Sequence, residues 1–118
     1  MDTIFIDQLS VMGILGIHPH EQKTPQEIRI SVKVFTDISA AAESDQILKS
    51  VNYATLAKEI KRFIDEHHYL TIEALIEALA AKILTDERIA RVWLRVEKPN
   101  AVSAAKSVGV EIVRPKSA

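Results

Sequence analysis

The sequence contains no cysteine, so disulfide bonds and thiolate chemistry are excluded. A reducing cytoplasm is compatible with that composition. A charge excess of one sign is also missing, because 15 basic side chains stand against 16 acidic ones. No basic stripe with interleaved aromatic residues occurs, which argues against nucleic acid as the main partner.

Glycine is scarce, with residues at positions 13, 16 and 109 alone. These positions form no Gly-x-Gly-x-x-Gly phosphate loop, and neither a Gly-x-Ser-x-Gly elbow nor a His-Glu-x-x-His helix occurs. Phosphoryl transfer, serine hydrolysis and zinc proteolysis are therefore not expected. No run approaches the roughly 18 apolar residues of a membrane helix, and the first residues lack the basic start of a secretion signal. We expect one soluble cytosolic domain, residues 1–118.

Alternating apolar residues predict β-strands towards both ends of the chain. In residues 27–35 four β-branched residues alternate with other side chains, which is typical of a strand with one buried face. Residues 2–17 are also strand-like, and Gly13 is the expected site of a bulge or bend. The polar stretch 18–26 between them predicts a hairpin turn. The remaining predicted strands are residues 90–97 and 107–113.

Apolar side chains at three- and four-residue steps predict two helices in the middle of the chain. The first begins at Tyr53, with Asn52 as its cap and with His67 and His68 in its last turn. The second helix follows with Thr71 as its cap. Their short connection implies an antiparallel helix pair.

The element order β-β-α-α-β-β predicts an α+β fold, with a four-stranded antiparallel sheet and two antiparallel helices on one of its faces. The other face would keep apolar side chains uncovered, among them Phe5, Trp93 and Val113. An uncovered sheet face with free edge strands favours self-association. We therefore expect a homo-oligomer.

His18 and His20, with Glu21 beside them, are candidate metal ligands because alternate residues of an extended segment share a face. The intervening Pro19 and the lack of a plausible third and fourth ligand weaken this hypothesis. We favour a solvated loop.

Four polar residues lie at element boundaries, and each has an ordinary structural explanation. Glu21 lies in a turn, and Tyr53 can pack at the start of a helix. Glu73 complements the dipole of a helix N-terminus, and Lys98 can end a strand. Pro99 biases Lys98 towards an extended backbone. Taken singly, none of the four indicates catalysis.

The segments around these residues resemble those of the dihydroneopterin aldolase family. They contain a Gly-x-x-x-x-Glu turn after a strand, a Val-x-Tyr step into a helix, a Leu-x-x-Glu helix start, and a Lys-Pro strand end before a Val-Gly-Val strand. In order they read FIDQLSVMGILGIHPHEQ, SDQILKSVNYATLAKEI, LTIEALIEALA, and VEKPNAV with SVGVEIVR. Four ordered motifs over nearly the whole chain are much more specific than any one of them.

The resemblance implies the tunnelling fold, assembled into an oligomeric barrel as a tetrameric ring or an octamer. It implies a small-molecule pterin substrate, 7,8-dihydroneopterin, cleaved to 6-hydroxymethyl-7,8-dihydropterin and glycolaldehyde, often with epimerisation at C2′ to dihydromonapterin. Family members use neither a metal nor a lysine Schiff base, so no cofactor is expected. Their site lies between subunits, and the partner supplies the tyrosine segment.

Carried over residue by residue, the resemblance assigns proton transfer to Lys98 and Tyr53, while Glu21 holds the substrate tail and the lysine region. Glu73 would bind the 2-amino and N3 edge of the pterin. If Glu97 and Glu21 both contact the amine, Lys98 stays an ammonium and acts as an acid or an electrostatic clamp. The remaining assignments are main-chain contacts of Ile72 and Val51.

Two other functions stay open. One is a dihydroneopterin triphosphate 2′-epimerase, which is similar at the same positions. The absence of a dense basic cluster disfavours a triphosphate, although Lys23, Lys49 and Lys106 keep it open. The other is a pterin-binding oligomer without catalysis.

Overall fold

The computed structural model describes residues 1–116 and confirms the predicted order of the main strands and helices. Two elements were not predicted from the sequence, a short helix at Ser39–Ser44 and a 3₁₀ turn at Ile47–Lys49. A second 3₁₀ turn, Pro19–Gln22, lies within the predicted hairpin turn. The strands are β1 (Asp2–Gly13), β2 (Gln26–Thr36), β3 (Arg91–Lys98) and β4 (Val108–Pro115), and the helices are α1 (Ser39–Ser44), α2 (Tyr53–Glu66) and α3 (Ile72–Ile83).

The four strands form one antiparallel sheet, as predicted, and their order in the sheet is β1-β2-β3-β4. Helix α2 packs on β1, and α3 packs on β3 and β4. The two helices run in opposite directions, because the chain reverses in the short loop between Glu66 and Ile72. Within the described part of the chain, no helix combines the length and apolarity required to cross a membrane.

The core lies between the helices and one face of the sheet. Alternate residues of the central strand β2 are fully buried there, because successive side chains of a strand point to opposite faces. On the other face Phe5 is 64% exposed and Val113 is 48% exposed, while Trp93 is half-buried. One protomer therefore leaves this face without cover, as the sequence predicted.

The interruption of β1 lies at Gln8, so the prediction of a bulge or bend at Gly13 is wrong. The register steps from Ile6 paired with Val32 to Leu9 paired with Ile30, which leaves one extra residue in β1. Gln8 has a φ of 54°, and its amide donates to Ser31 Oγ at 3.0 Å.

Gly13 serves a different purpose at the end of β1. A Cβ at this position would lie 2.5 Å from Ile64 Cγ2, closer than two carbon atoms can approach. The glycine thus lets α2 pack against the end of the strand. A single glycine in a strand pattern does not distinguish a bulge from such a close approach.

The predicted helix starts are confirmed. Asn52 Oδ1 accepts from the amides of Ala54 and Thr55, and Thr71 Oγ1 accepts from the amide of Ala74. Both caps bind amides that have no partner within the helix.

The predicted end of the first helix is wrong, because α2 ends at Glu66 and places His67 and His68 beyond it. His67 has an extended backbone, and its ring stacks on Phe63 with 4.3 Å between the centroids. Its Nδ1 lies 3.0 Å from the carbonyl oxygen of Phe63. The ring therefore packs back on the last turn without continuing it.

Replacing Ser31 with alanine should lower the free energy of unfolding by about 1–2 kcal/mol, because the amide of Gln8 in the bulge loses its acceptor. Ser31 is only 4% exposed. Urea denaturation of Ser31→Ala would measure the change, with Ser103→Ala in an exposed loop as the control. Equal stability of the two variants would contradict the role given to Ser31.

Candidate active site

A cleft with a volume of about 600 Å³ opens at the end of the sheet where β1 turns into β2 and where β3 ends. That size is within the range of small-molecule sites. The hairpin turn, the start of α3 and the residues after β3 form its walls. Four of the residues proposed from the sequence line this cleft: Glu21, Ile72, Glu73 and Lys98.

An ion pair joins two walls of the cleft. Lys98 Nζ donates to Glu21 Oε2 at 2.6 Å, and the two side chains are 12% and 13% exposed. Lys98 is the last residue of β3 and lies in the same alternating row as the buried Val96. Its amine therefore emerges on the helix side of the sheet, where the strand ends.

Glu97 points away from this pair, since neighbouring residues of a strand face opposite sides of the sheet. Its carboxylate accepts from Ser107 Oγ at 2.6 Å and lies 3.5 Å from Nε of Arg95. Of the two acids that the sequence placed near the amine, Glu21 is the one that contacts Lys98.

The Glu21 carboxylate is held from several sides. Gln26 Nε2 donates to Oε2 at 3.1 Å, and the amide of His18 donates to Oε1 at 3.3 Å. Gly16 has a φ of 142°, and a Cβ at this position would overlap the Glu21 carboxyl group. The glycine of the Gly-x-x-x-x-Glu turn thus allows the acid to fold back against the backbone.

These bonds keep the carboxylate charged. The hydrogen bond from Lys98 is the main cause that lowers the pKa of Glu21 from 4.5 to about 2. The bonds from Gln26 and from the His18 amide also lower the pKa, while burial opposes them. At neutral pH the cleft therefore contains an ionised Glu21.

Glu73 and Ile72 occupy the first turn of α3 on another wall of the cleft. Amides of a first helical turn have no acceptor within the helix, and the helix dipole favours an acid there. A carboxylate next to such amides can pair with a flat ligand edge that carries two N–H groups.

Tyr53 and Val51 lie at the other end of the protomer. The Tyr53 side chain is 61% exposed and lines a separate cavity with Thr3 and Phe5. Strand β1 runs from that cavity to the cleft, roughly 30 Å at about 3.3 Å per residue. A single protomer therefore does not bring Tyr53 and Val51 to Lys98.

His18 and His20 both line the cleft, with their rings stacked at 5.7 Å between centroids. Both are exposed. Within residues 1–116, no group of three or more histidine, cysteine or acidic side chains is arranged to hold a metal ion.

A family model described as FolB: Dihydroneopterin aldolase matches residues 4–113. The chain belongs to the dihydroneopterin aldolase family. The FolB structure from Vibrio cholerae O1 is similar with a TM-score of 0.93 and 32% identity, covering 98% of each chain. The structure of Escherichia coli dihydroneopterin aldolase in complex with neopterin is similar with a TM-score of 0.92 and 31% identity, covering 97% of this chain and 99% of that one.

Longer relatives contain a region similar to this chain. The folic acid synthesis protein FOL1 of Dictyostelium discoideum is 36% identical over 114 residues, which is 97% of this chain and 17% of that protein. The corresponding protein of Pneumocystis carinii is 36% identical, and the matched region is 16% of its length. The chain therefore spans about a sixth of the length of these two relatives.

Two glutamines beside the cleft, in the polar stretch 18–26, were not predicted from the sequence as part of the site. Gln22 and Gln26 are both half-buried and hydrogen-bonded in the structure. In the sequence they belong to a polar stretch whose composition indicates only a solvated turn. Gln22 bonds to Tyr69, 47 residues away, and Gln26 bonds back to Leu15 and Glu21 across the turn. Both sets of bonds depend on how the chain folds, so composition alone does not distinguish these two residues.

The contribution of Glu21 to stability should depend on pH. Because its pKa is lowered on folding, the ionised form stabilises the folded state fully above its unfolded value of 4.5, and this stabilisation is lost as the pH falls towards about 2. The difference in free energy of unfolding between the parent and Glu21→Gln should be constant above about pH 5 and shrink below it. Urea denaturation across this range would measure it. A difference that stays constant down to pH 2 would contradict the ion pair.

Proposed function

We propose that this chain is a dihydroneopterin aldolase of the folate pathway, acting in the cytoplasm on 7,8-dihydroneopterin. The observation that supports this proposal most strongly is the ion pair of Lys98 and Glu21. It lies in the same cleft as Glu73, which belongs to the first turn of α3. This arrangement combines a proton-transfer group with an acid suited to a pterin edge. Membership of the family and the similarity to a neopterin-bound relative support the assignment.

The reaction breaks the C1′–C2′ bond of the substrate tail. A base removes the proton of the C2′ hydroxyl, and C2′ becomes the aldehyde carbon of glycolaldehyde. The electron pair of the broken bond moves to C1′=C6 while N5 takes up a proton, so the N5=C6 imine of the substrate is the electron sink. Protonation of C1′, with release of the proton from N5, then restores the N5=C6 imine and gives 6-hydroxymethyl-7,8-dihydropterin. The proton gained by C1′ balances the one removed from the C2′ hydroxyl. The protein supplies positioned acids and bases, with neither a metal nor a Schiff base.

The residues that line the cleft divide between the two ends of the substrate. Glu73 binds the 2-amino and N3 edge of the ring, and the main chain of Ile72 adds a contact. Glu21 holds the hydroxyls of the tail and orients Lys98. The Lys98 side chain, paired with the ionised Glu21, then serves as a proton donor and electrostatic clamp near N5.

The site is completed by a second copy of the chain. Tyr53 exchanges a proton with the tail and protonates the intermediate, and Val51 adds a main-chain contact. Both lie roughly 30 Å from the cleft of their own protomer, so a partner has to supply them. The uncovered sheet face and the free edge strands β1 and β4 offer surfaces for a ring or an octamer.

The charge of the cleft favours the aldolase over a triphosphate epimerase. Among the described residues, Lys98 is the one lysine or arginine that lines the cleft, and it is paired with Glu21. Lys23, Lys49 and Lys106 lie outside that lining. Epimerisation at C2′ remains part of the proposal, because re-addition of glycolaldehyde to its opposite face uses the same proton transfers.

A product assay tests the proposal. Purified protein with 7,8-dihydroneopterin in EDTA should release equimolar 6-hydroxymethyl-7,8-dihydropterin and glycolaldehyde, measured by chromatography. Lys98→Ala should lower kcat by about 100-fold or more, because it removes a proton-transfer group. Lys58→Ala, on the exposed face of α2, is the matched control.

The other outcomes separate the alternatives. Loss of activity in EDTA would contradict a metal-free reaction. Equal rates for Lys98→Ala and the parent would show that Lys98 takes no part in the reaction. Tight binding of the substrate without any turnover would indicate the pterin-binding oligomer. Detection of the epimer without glycolaldehyde would indicate an epimerase.

Complementation tests the shared site. Lys98→Ala and Tyr53→Phe should each be impaired alone, whereas their co-expression should recover about one quarter of the parent kcat, because random assembly gives that fraction of sites both intact residues. Each variant is co-expressed with itself as the control. Mixed assemblies that stay as inactive as the single variants would place both residues in the same chain's site.

A further inference from the structure

Gln22 bridges two backbone segments behind the cleft. Its Nε2 donates to the carbonyl oxygen of Gly16 at 2.6 Å and to that of Tyr69 at 3.3 Å. An amide nitrogen carries two hydrogens, so one side chain can satisfy both carbonyls. Gln22 is half-buried, and the cleft lining formed by residues 1–116 does not include it. Its hydrogen bonds therefore hold two parts of the protein backbone together.

The two segments are also joined directly. The amide of Gly16 donates to the carbonyl oxygen of Tyr69 at 3.2 Å, and Leu15 forms a parallel bridge with Tyr69. The Tyr69 carbonyl thus accepts from both Gly16 and Gln22. These bonds form a small closed network between the hairpin turn and the loop before α3.

Each of these segments carries one acid of the cleft. Gly16 packs against the Glu21 carboxyl group, so its position sets the position of the ion pair. Tyr69 precedes the cap residue Thr71 and the cleft residue Glu73. A change in the distance from Gly16 to Tyr69 would therefore change the distance between the two acids.

The loop before α3 is itself anchored to α2. The Tyr69 ring packs alongside the rings of Phe63 and His67, each with 6.4 Å between the centroids. Phe63 is buried in the core. The Tyr69 carbonyl is thus a fixed point, and Gln22 ties the more exposed turn to it.

We propose that Gln22 is a positioning residue that sets the spacing between the Lys98–Glu21 pair and Glu73. The consequence for catalysis rests on the proposed function, in which the two acids hold the tail and the ring of one substrate. A ligand that spans both ends needs this spacing, whereas a ligand that uses the ring end alone does not.

The link that Gln22 makes between the two segments is tested first without any substrate. Amide hydrogen exchange with mass spectrometry measures how often each segment opens. Gln22→Ala should accelerate amide exchange in residues 13–17 and 69–74 by about fivefold or more. The two segments lose the side chain that joins their carbonyls, so they open locally more often. Exchange in the central strand segment 28–34 should not change. Lys23→Ala, the exposed neighbour in the same turn, is the matched control. Unchanged exchange in both segments would overturn the proposal, whatever the enzyme's activity.

The catalytic consequence is tested with a double-mutant cycle. Gln22→Ala should lower kcat/KM for 7,8-dihydroneopterin about tenfold, while Kd for 6-hydroxymethyl-7,8-dihydropterin changes less than about twofold. In a Glu21→Gln background, Gln22→Ala should add less than about twofold, because it acts through Glu21. Gln22→Glu, which keeps the length but removes the N–H donors, should behave like the alanine variant.

The outcomes distinguish a failed positioning role from a failed function. Additive effects in the cycle would show a general structural effect and overturn the proposal. A tenfold loss of affinity for 6-hydroxymethyl-7,8-dihydropterin, equal to the loss of kcat/KM for the substrate, would do the same. A parent protein that turns over no dihydroneopterin, yet shows the expected exchange changes on Gln22→Ala, would reject the proposed function and keep the positioning role of Gln22.

Discussion

The ion pair between Lys98 and Glu21 is the contact on which the rest of the site depends. It joins the end of β3 to the turn between β1 and β2, two segments 77 residues apart in the chain. A partly buried charge pair is expensive to desolvate, so it persists only where further hydrogen bonds and close packing hold it. Gln26, the His18 amide and Gly16 meet that requirement, and the lowered pKa of Glu21 is the electrostatic consequence.

The same architecture explains why one protomer has an incomplete site under the proposed function. A strand end and a helix start converge on the cleft, whereas Tyr53 begins a helix that runs antiparallel to α3 and therefore starts at the far end of the sheet. Sheet length thus separates residues that the chemistry needs together. Assembly of copies through the uncovered face and the edge strands would resolve that separation, so oligomerisation and catalysis would share one cause.

Local patterns predicted most of the fold. The caps Asn52 and Thr71 were predictable because a cap binds amides within three residues of itself. The strands were predictable because burial on one face imposes a period of two. The misplaced bulge has the opposite origin: Gln8 adopts a positive φ because Ser31 on the next strand accepts its amide, and that acceptor is 23 residues away.

The sequence by itself determined the order of the main strands and helices, the N-caps of α2 and α3 and, through four ordered motifs, the family and the candidate site residues. It did so because these features depend on side chains that are close in the chain. Only the tertiary structure decided that Glu21 pairs with Lys98 while Glu97 faces the other side, that Tyr53 lies far from both, and that Gln22 joins two backbone segments. Those facts depend on strand register and on the packing of distant segments, which no short stretch of sequence contains.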